Sequence, residues 1–387
     1  MLKVAINLTR EYIGGITSSN INLINHLYGL DYEFVGLELT SRVYMKGAAL
    51  FRNFSPDIFD HNIVNIHHLP IIDIMKKAGN VRNLESAYRE PINIIRNILR
   101  ETRPDVILLN GTYYIPWLIS IAAEKEKIPI VLWYAGVLTR EVKTQPEHMK
   151  RLFSSMEKSI VGRASQIIFP SKLCKDIVEK EVMKHKVKNS YVIPNPVASI
   201  FIDPSTVEYS IDRRIAAVGR YTKVKNFDVF FALHKELLRR GWRHNASFVT
   251  NTTAPIKKLP KTIEVLPPMT PEGLKKFYAS QGLIVCPSTF ETFGNVPMEA
   301  ACLGVPVLVS DKMGCAEILK KVGLENMVMS FDDIKKVADR SQQICGQSIL
   351  PIQLNALKRI LDYRLVSEEI NAVLINAAKE SRLPVKN

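Results

Sequence analysis

Short apolar runs alternate with longer amphipathic stretches along nearly the whole chain. Val4 to Asn7, Tyr32 to Leu37, Pro104 to Leu109, Ile128 to Trp133, Ser165 to Phe169 and Tyr191 to Ile193 are runs of this kind. Their length and near-continuous apolarity predict strands covered on both faces, as in a parallel sheet. Between them, helical spacing predicts helices from about Ser18 to Tyr28, over Trp117 to Glu124, Met149 to Arg163 and Lys172 to His185. Lys76 to Thr102 mixes Arg, Lys and Ile at helical spacing (Ile92, Ile94, Ile95, Ile98, Leu99), which predicts a domain helix with a basic outer face, or a membrane-surface helix. Val43 to Leu69 is irregular, and Pro194 to about Arg213 reads as a linker. The rhythm then restarts. Ile215 to Val218, Ser247 to Thr250, Ile263 to Leu266, Leu283 to Val285 and Val307 to Ser310 predict strands, with a helix over Asn226 to Arg240. The tail, Ala356 to Glu380, reads as helical throughout and is expected to pack back on the first domain. Strands alternating with helices define an α/β protein with doubly wound parallel sheets.

At 387 residues the chain exceeds the roughly 250–300 that one core serves, so two domains are expected. They are placed at residues 1–197, joined by a C-terminal helix at about 362–387, and at 213–360. The net charge of +14 raises nucleic acid as a partner, but the excess is +7 on each side of residue 200, with no basic arm. A diffuse positive surface suits anionic small substrates, or peripheral contact with an anionic membrane, at least as well. Five cysteines without a Cys-x-x-Cys pair point to reduced thiols rather than a zinc site or disulfide frame. Met1 to Ile6 enters a strand-like run directly, and no apolar segment approaches ~20 uncharged residues. A cytoplasmic protein is expected, with the inner membrane face as its one peripheral surface.

The stretch that changes this picture most is Cys286 to Asp311. An apolar run ending at Pro287 gives way to a polar loop, Ser288 to Asn295. Helical spacing begins at Val296, with Met298, Ala301, Cys302 and Val305 on roughly one face, and Gly304 and Pro306 stop it. Glu291 falls in the loop and Glu299 in the helix. The amides of residues 293–296 are unpaired donors at the helix start, suited to an anion. Gly14-Gly15 at the first strand-to-helix turn allows close backbone approach to a ligand, or is only a tight turn. His67-His68, being adjacent, point apart and read as a surface pair. Asp332-Asp333 read as a helix N-cap rather than a metal-binding pair.

Two Rossmann-like domains in tandem, with this loop-and-helix glutamate pair in the second, resemble the GT-B glycosyltransferases. More closely, the chain is similar to the retaining nucleotide-sugar transferases of glycosyltransferase family 4. The likeness is strong over about Ala216 to Glu317 and weaker before it. It implies two domains facing across a cleft, and a hexose moved from a UDP- or GDP-sugar to a glycan, lipid-linked or small-molecule acceptor. Neither a cofactor nor a metal is implied. In GRYTKVKN, Arg220 and Lys225 match the family's basic pair, which would stabilise the leaving diphosphate. Glu291 would face the donor sugar as a catalytic group. Glu299 would accept from the ribose hydroxyls, and the amides of Phe293, Gly294 and Asn295 would hold sugar or phosphate. Leu266 would lie by the base, Gly15 by the diphosphate and Gly14 on the acceptor side. Asn195 matches the asparagine of the family's domain junction, and Ser171 the end of a late strand. One departure stands out. The strand in IPIVLWYAGV lacks the family's usual histidine, which leaves Tyr134 as a stand-in on the acceptor side. That loss also keeps open an inactive relative serving as a binding or scaffold subunit.

Overall fold

The computed structural model describes residues 1–8, 15–28, 30–40, 60–65, 79–143, 145–203, 214–251, 256 and 259–382. The chain divides into two compact units, Met1–Ile193 with Val366–Asn387, and Pro194–Leu365.

In the first unit the order is β1 (Leu2–Leu8), α1 (Gly15–Tyr28), β2 (Tyr32–Thr40), β3 (Asp60–Asn65), α2 (Val81–Ala87), α3 (Arg89–Thr102), β4 (Val106–Asn110) and α4 (Tyr114–Lys125). It continues with β5 (Ile130–Trp133), α5 (Leu138–Glu141), α6 (Glu147–Arg163), β6 (Gln166–Phe169), α7 (Lys172–Ile177) and β7 (Ser190–Val192). The strands form one parallel sheet, β3-β2-β1-β4-β5-β6-β7, with Val4 beside Val106 and Trp133 beside Ile168. Strands buried on both faces explain why the sequence shows apolar runs rather than alternation.

The predicted helix over Lys76 to Thr102 is two helices where it is described. Asn80 caps the first, its Oδ1 accepting from the Asn83 amide at 2.9 Å, and Tyr88 breaks the run at φ −103° and ψ 19°. Pro91 explains the break: it has no N–H to return to Ala87, and a first turn tolerates that. The helix from Lys172 widens into a π-helical turn, Val178–Met183, and ends on left-handed Lys184.

The second unit runs α8 (Ser199–Ile202), β8 (Ile215–Val218), α9 (Phe227–Arg239), β9 (Ala246–Val249), β10 (Ile263–Leu266), α10 (Pro271–Ala279), β11 (Leu283–Cys286) and α11 (Asn295–Cys302). Then come β12 (Val307–Ser310), α12 (Ala316–Lys321), β13 (Val328–Met329), α13 (Ile334–Ile344) and α14 (Pro351–Leu361), after which α15 (Tyr363–Arg382) belongs to the first unit from Val366 onward. Its sheet is β10-β9-β8-β11-β12-β13, again parallel throughout.

The tail is not one helix. The Leu361 carbonyl accepts from the Val197 amide at 3.0 Å, and Asp362 bridges to Val197, so the helical ladder stops there. Beyond the break, Val366, Ile370, Val373, Leu374, Ala377 and Ala378 of α15 share a core with Val4, Ile6, Val131 and Trp133. Asp333 caps α13, its Oδ1 accepting from the Lys335 and Lys336 amides. All five cysteines are buried and none is in a disulfide. Among the described residues no helix is long and apolar enough to cross a membrane.

Strand order reverses direction once in each sheet, between β1 and β4 and between β8 and β11. Open parallel sheets bind ligands outside the carboxyl ends of the strands at such a switch point.

Candidate active site

The loops leaving β8 and β11 converge at the second unit's switch point, and backbone hydrogen bonds hold them together. The Val224 carbonyl accepts from the Thr289 amide at 2.8 Å and from its hydroxyl at 3.2 Å. Asn226, left-handed at the start of α9, donates its side-chain amide to the Pro287 carbonyl at 3.3 Å. At the end of β8 Gly219 sits at φ +144°. A Cβ there would lie 3.3 Å from the Phe227 ring and 3.8 Å from Lys225 Cε, so the lysine stem crosses the bare glycine. This stitching delivers Lys225 to Glu291. Its Nζ lies 2.8 Å from Glu291 Oε2, with the two side chains only 25% and 17% exposed, so solvent and salt screen the pair less than a surface pair.

Glu291 is fixed from two further directions. The buried Ser288 hydroxyl donates to its Oε1. Its backbone pairs with the loop after β12: its amide donates to the Lys312 carbonyl at 3.2 Å, and its carbonyl accepts from the Gly314 amide at 3.1 Å. The Phe293 carbonyl accepts from the Cys315 amide at 2.9 Å, and the Phe293 ring is buried in the unit's core. Gly294 opens α11 at φ +115°, and a Cβ there would meet Met313 Cε at 2.7 Å and Cys315 Sγ at 2.9 Å. Gly294→Ala should therefore destabilise the unit by roughly 2–4 kcal/mol, from left-handed backbone strain and overpacking together. Denaturant unfolding checks this, and an unchanged midpoint would contradict it. Asn295, first residue of α11, accepts through Oδ1 from Asn195 Nδ2 at 3.0 Å.

Glu299 stands one helical turn further in, half-buried, with Oε2 accepting from the Tyr278 hydroxyl at 3.0 Å. Burial pushes its carboxyl above the usual range, while the Tyr278 hydrogen bond and the Lys225 charge pull it back. Lys225, Glu291 and Glu299 thus form one electrostatic site. Arg220 follows Gly219 at the same strand end and is exposed. Leu266 ends β10, two strands from the switch point, its carbonyl accepting from the Thr250 amide at 3.0 Å. Among the described residues no group of three or more His, Cys, Asp or Glu is placed to hold a metal ion.

In the first unit, three buried asparagines bind α1 to the switch point. Asn110 donates its amide to Asn7 Oδ1 at 2.7 Å and its Nδ2 to Asn20 Oδ1 at 2.8 Å, and Asn20 Nδ2 donates to the Asn7 carbonyl at 2.9 Å. Gly15 begins α1 directly before this network, whereas Gly14 and His67-His68 lie outside the described residues. Ser171 caps α7, accepting from the Cys174 amide at 3.0 Å. The acceptor-side place expected for Tyr134 requires correction. Its side chain is completely buried and its hydroxyl donates to buried Glu157 at 2.5 Å, so it stands under the loop after β5 rather than on it. Glu157 also accepts from the Leu138 and Thr139 amides, both at 2.8 Å, and so pins that loop to α6.

Sequence reasoning passed over Ser288, Tyr278 and the loop after β12. Ser288 stands three residues before Glu291, a spacing that lets a hydroxyl reach a carboxylate within one turn. Tyr278 rides on α10, whose start was legible in Thr270-Pro271: Thr270 caps it, accepting from the Gly273 amide.

Two parallel α/β units, the second with a lysine and two carboxylates around its switch point, agree with the class that the family matches show, the GT-B glycosyltransferases. The chain belongs to its group 1 family: residues 212–346 match the family described as glycosyl transferases group 1, and residues 13–199 match glycosyltransferase family 4. It is similar to the amylovoran biosynthesis glycosyltransferase AmsD of Erwinia amylovora, 30% identical over an alignment 154 residues long that covers 35% of this chain and 42% of that protein. The chain thus spans less than half the length of this relative. In fold it is similar to sucrose-phosphate synthase from Thermosynechococcus elongatus, at 14% identity and TM-score 0.74, covering 98% of this chain and 100% of that one. It is also similar to TarM of S. aureus, solved with UDP, at 10% identity and TM-score 0.70, covering 98% and 100%.

Proposed function

We propose that the protein moves a hexose from a UDP- or GDP-sugar to a hydroxyl of a glycan, lipid-linked or small-molecule acceptor, keeping the donor's anomeric configuration. The observation that carries this reading is the Lys225–Glu291 pair at the β8/β11 switch point, beside the amino end of α11. Lys225 and Arg220 meet the diphosphate and stabilise the charge that grows as the sugar leaves. Glu291 faces the sugar and stabilises positive character at its anomeric carbon. Glu299 holds the ribose, the amides at 293–295 hold sugar or phosphate, and the backbone at Leu266 lies along the base. On the same face of the sugar, the departing phosphate takes the acceptor's proton as the new bond forms. TarM, solved with UDP and α-GlcNAc-glycerol, supports a uridine nucleotide as a donor to test first. The reaction takes place in the cytoplasm, with peripheral contact at an anionic membrane where the acceptor is lipid-linked.

Incubation with a panel of UDP-, GDP- and ADP-sugars tests the donor. One UDP- or GDP-sugar should be hydrolysed and should raise the melting point; a panel without turnover or shift would overturn the reading. Lys225, Arg220 and the amino end of α11 supply positive potential where a metal would otherwise bridge the phosphates. Transfer should therefore continue in excess EDTA with at most a modest loss. Complete loss rescued by manganese, with weaker donor binding in Asp332→Asn, would contradict a metal-free mechanism.

A further inference from the structure

Glu299 owes its orientation to a residue on another helix. Tyr278, near the end of α10, is completely buried, with the rings of Phe201 and Phe277 at 6.0 and 6.2 Å from its own. A ring packed in this way cannot swing, so its hydroxyl has a fixed direction, and it points at Glu299 Oε2, 3.0 Å away. Met298, Ala300 and Ala301 are buried on either side of Glu299 and hold its backbone still. We propose that Tyr278 is the positioning residue for the nucleotide: its hydroxyl fixes Glu299 Oε2 and turns Oε1 and the remaining lone pair of Oε2 toward the vicinal hydroxyls of the ribose. This rests on the assignment of Glu299 to the ribose.

The chemistry gives the hydroxyl a second effect. Two ribose hydroxyls need a carboxylate, which accepts at both oxygens, rather than a carboxylic acid. Burial favours the acid form of Glu299. Of the groups around it, the Tyr278 hydroxyl on α10 and the Lys225 charge from the loop after β8 favour the carboxylate. The buried thiols of Cys286 on β11 and Cys302 on α11, both pushed up by burial, stay neutral beside it. Without the tyrosine hydroxyl the balance tips toward the acid. Nucleotide affinity then falls at a higher pH, because the acid forms as pH drops through a raised midpoint.

Calorimetric titration with UDP and GDP across the mildly acidic to neutral range tests this on the whole protein. Tyr278→Phe should weaken the nucleotide that binds by about tenfold, and its affinity should begin to fall about one pH unit higher than in the wild type. Its kcat at saturating donor should change little, because the ribose contact is the same in ground and transition state. Glu299→Gln should bind weakly with no such pH dependence, once the nucleotide's own ionisation, common to all variants, is divided out. The double variant should bind no worse than Glu299→Gln alone. A ring-fluorinated tyrosine at 278, a stronger donor of nearly the same shape, should move the profile the opposite way and does not depend on Tyr278→Phe folding. Wild-type affinity and pH profile in Tyr278→Phe and in the fluorinated protein, with Glu299→Gln weak, would overturn the inference and leave the ribose assignment standing. Wild-type affinity in Glu299→Gln would overturn that assignment itself.

Discussion

Lys225→Ala should lower the turnover of sugar transfer by roughly 30- to 1000-fold, about 2–4 kcal/mol of transition-state stabilisation. The magnitude is that of removing one fixed donor aimed at developing charge. Lys225 meets that description because its ammonium does not wander: its stem lies across Gly219 and Nζ is 2.8 Å from Glu291 Oε2. Some of the effect passes through Glu291, which loses its countercharge and keeps the Ser288 hydroxyl. The variant should still fold, since the loop is held by Val224, Asn226 and Thr289 rather than by the lysine. Steady-state kinetics beside a circular dichroism spectrum check the result. Near-full turnover in the folded variant would remove Lys225 from the mechanism.

The two glutamates should fail in different ways. Glu291→Gln should mostly lower kcat, because positive charge at the anomeric carbon appears only on the way to the transition state. Glu299→Gln should mostly raise KM for the donor, because its contact is made equally before and during reaction. Their surroundings support the division. Glu291 is held by Lys225, Ser288 and backbone pairing with Lys312 and Gly314, so its carboxylate is preorganised at the switch point. Glu299 sits inside a helix with one tyrosine donor, a setting suited to uniform binding. Matching changes in kcat and KM for the two variants would show the roles to be wrongly divided.

Much of this was legible in the residues themselves. Strands such as Ile130–Trp133 and Leu283–Cys286 announced themselves because a strand covered on both faces must be apolar throughout. The loop-to-helix passage from Ser288 to Cys302 was legible for the same local reason: apolar run, polar loop, then helical spacing ended by glycine and proline. What stayed hidden depends on partners distant in sequence. The break at Asp362 arises because the Val197 amide takes the Leu361 carbonyl, and no window around the tail contains Val197. β13, two residues long, exists only by pairing with β12. Tyr134 looked like a ligand-facing residue at a strand end, yet its hydroxyl belongs to Glu157, which lies 23 residues further along. Likewise the pairing of Lys225 with Glu291 depends on Thr289 reaching back to Val224. Local pattern reveals elements, and the distant bonds that close a site appear only when the chain is folded.

The most direct test of transfer at this site is the anomeric configuration of the first glycoside product, read by proton NMR before reversal can blur it. With an α-linked UDP- or GDP-hexose as donor, the account predicts a product with the α coupling constant, formed by the wild type and nearly abolished in Glu291→Gln. A β-configured product, or an α product formed equally well by Glu291→Gln, would contradict it.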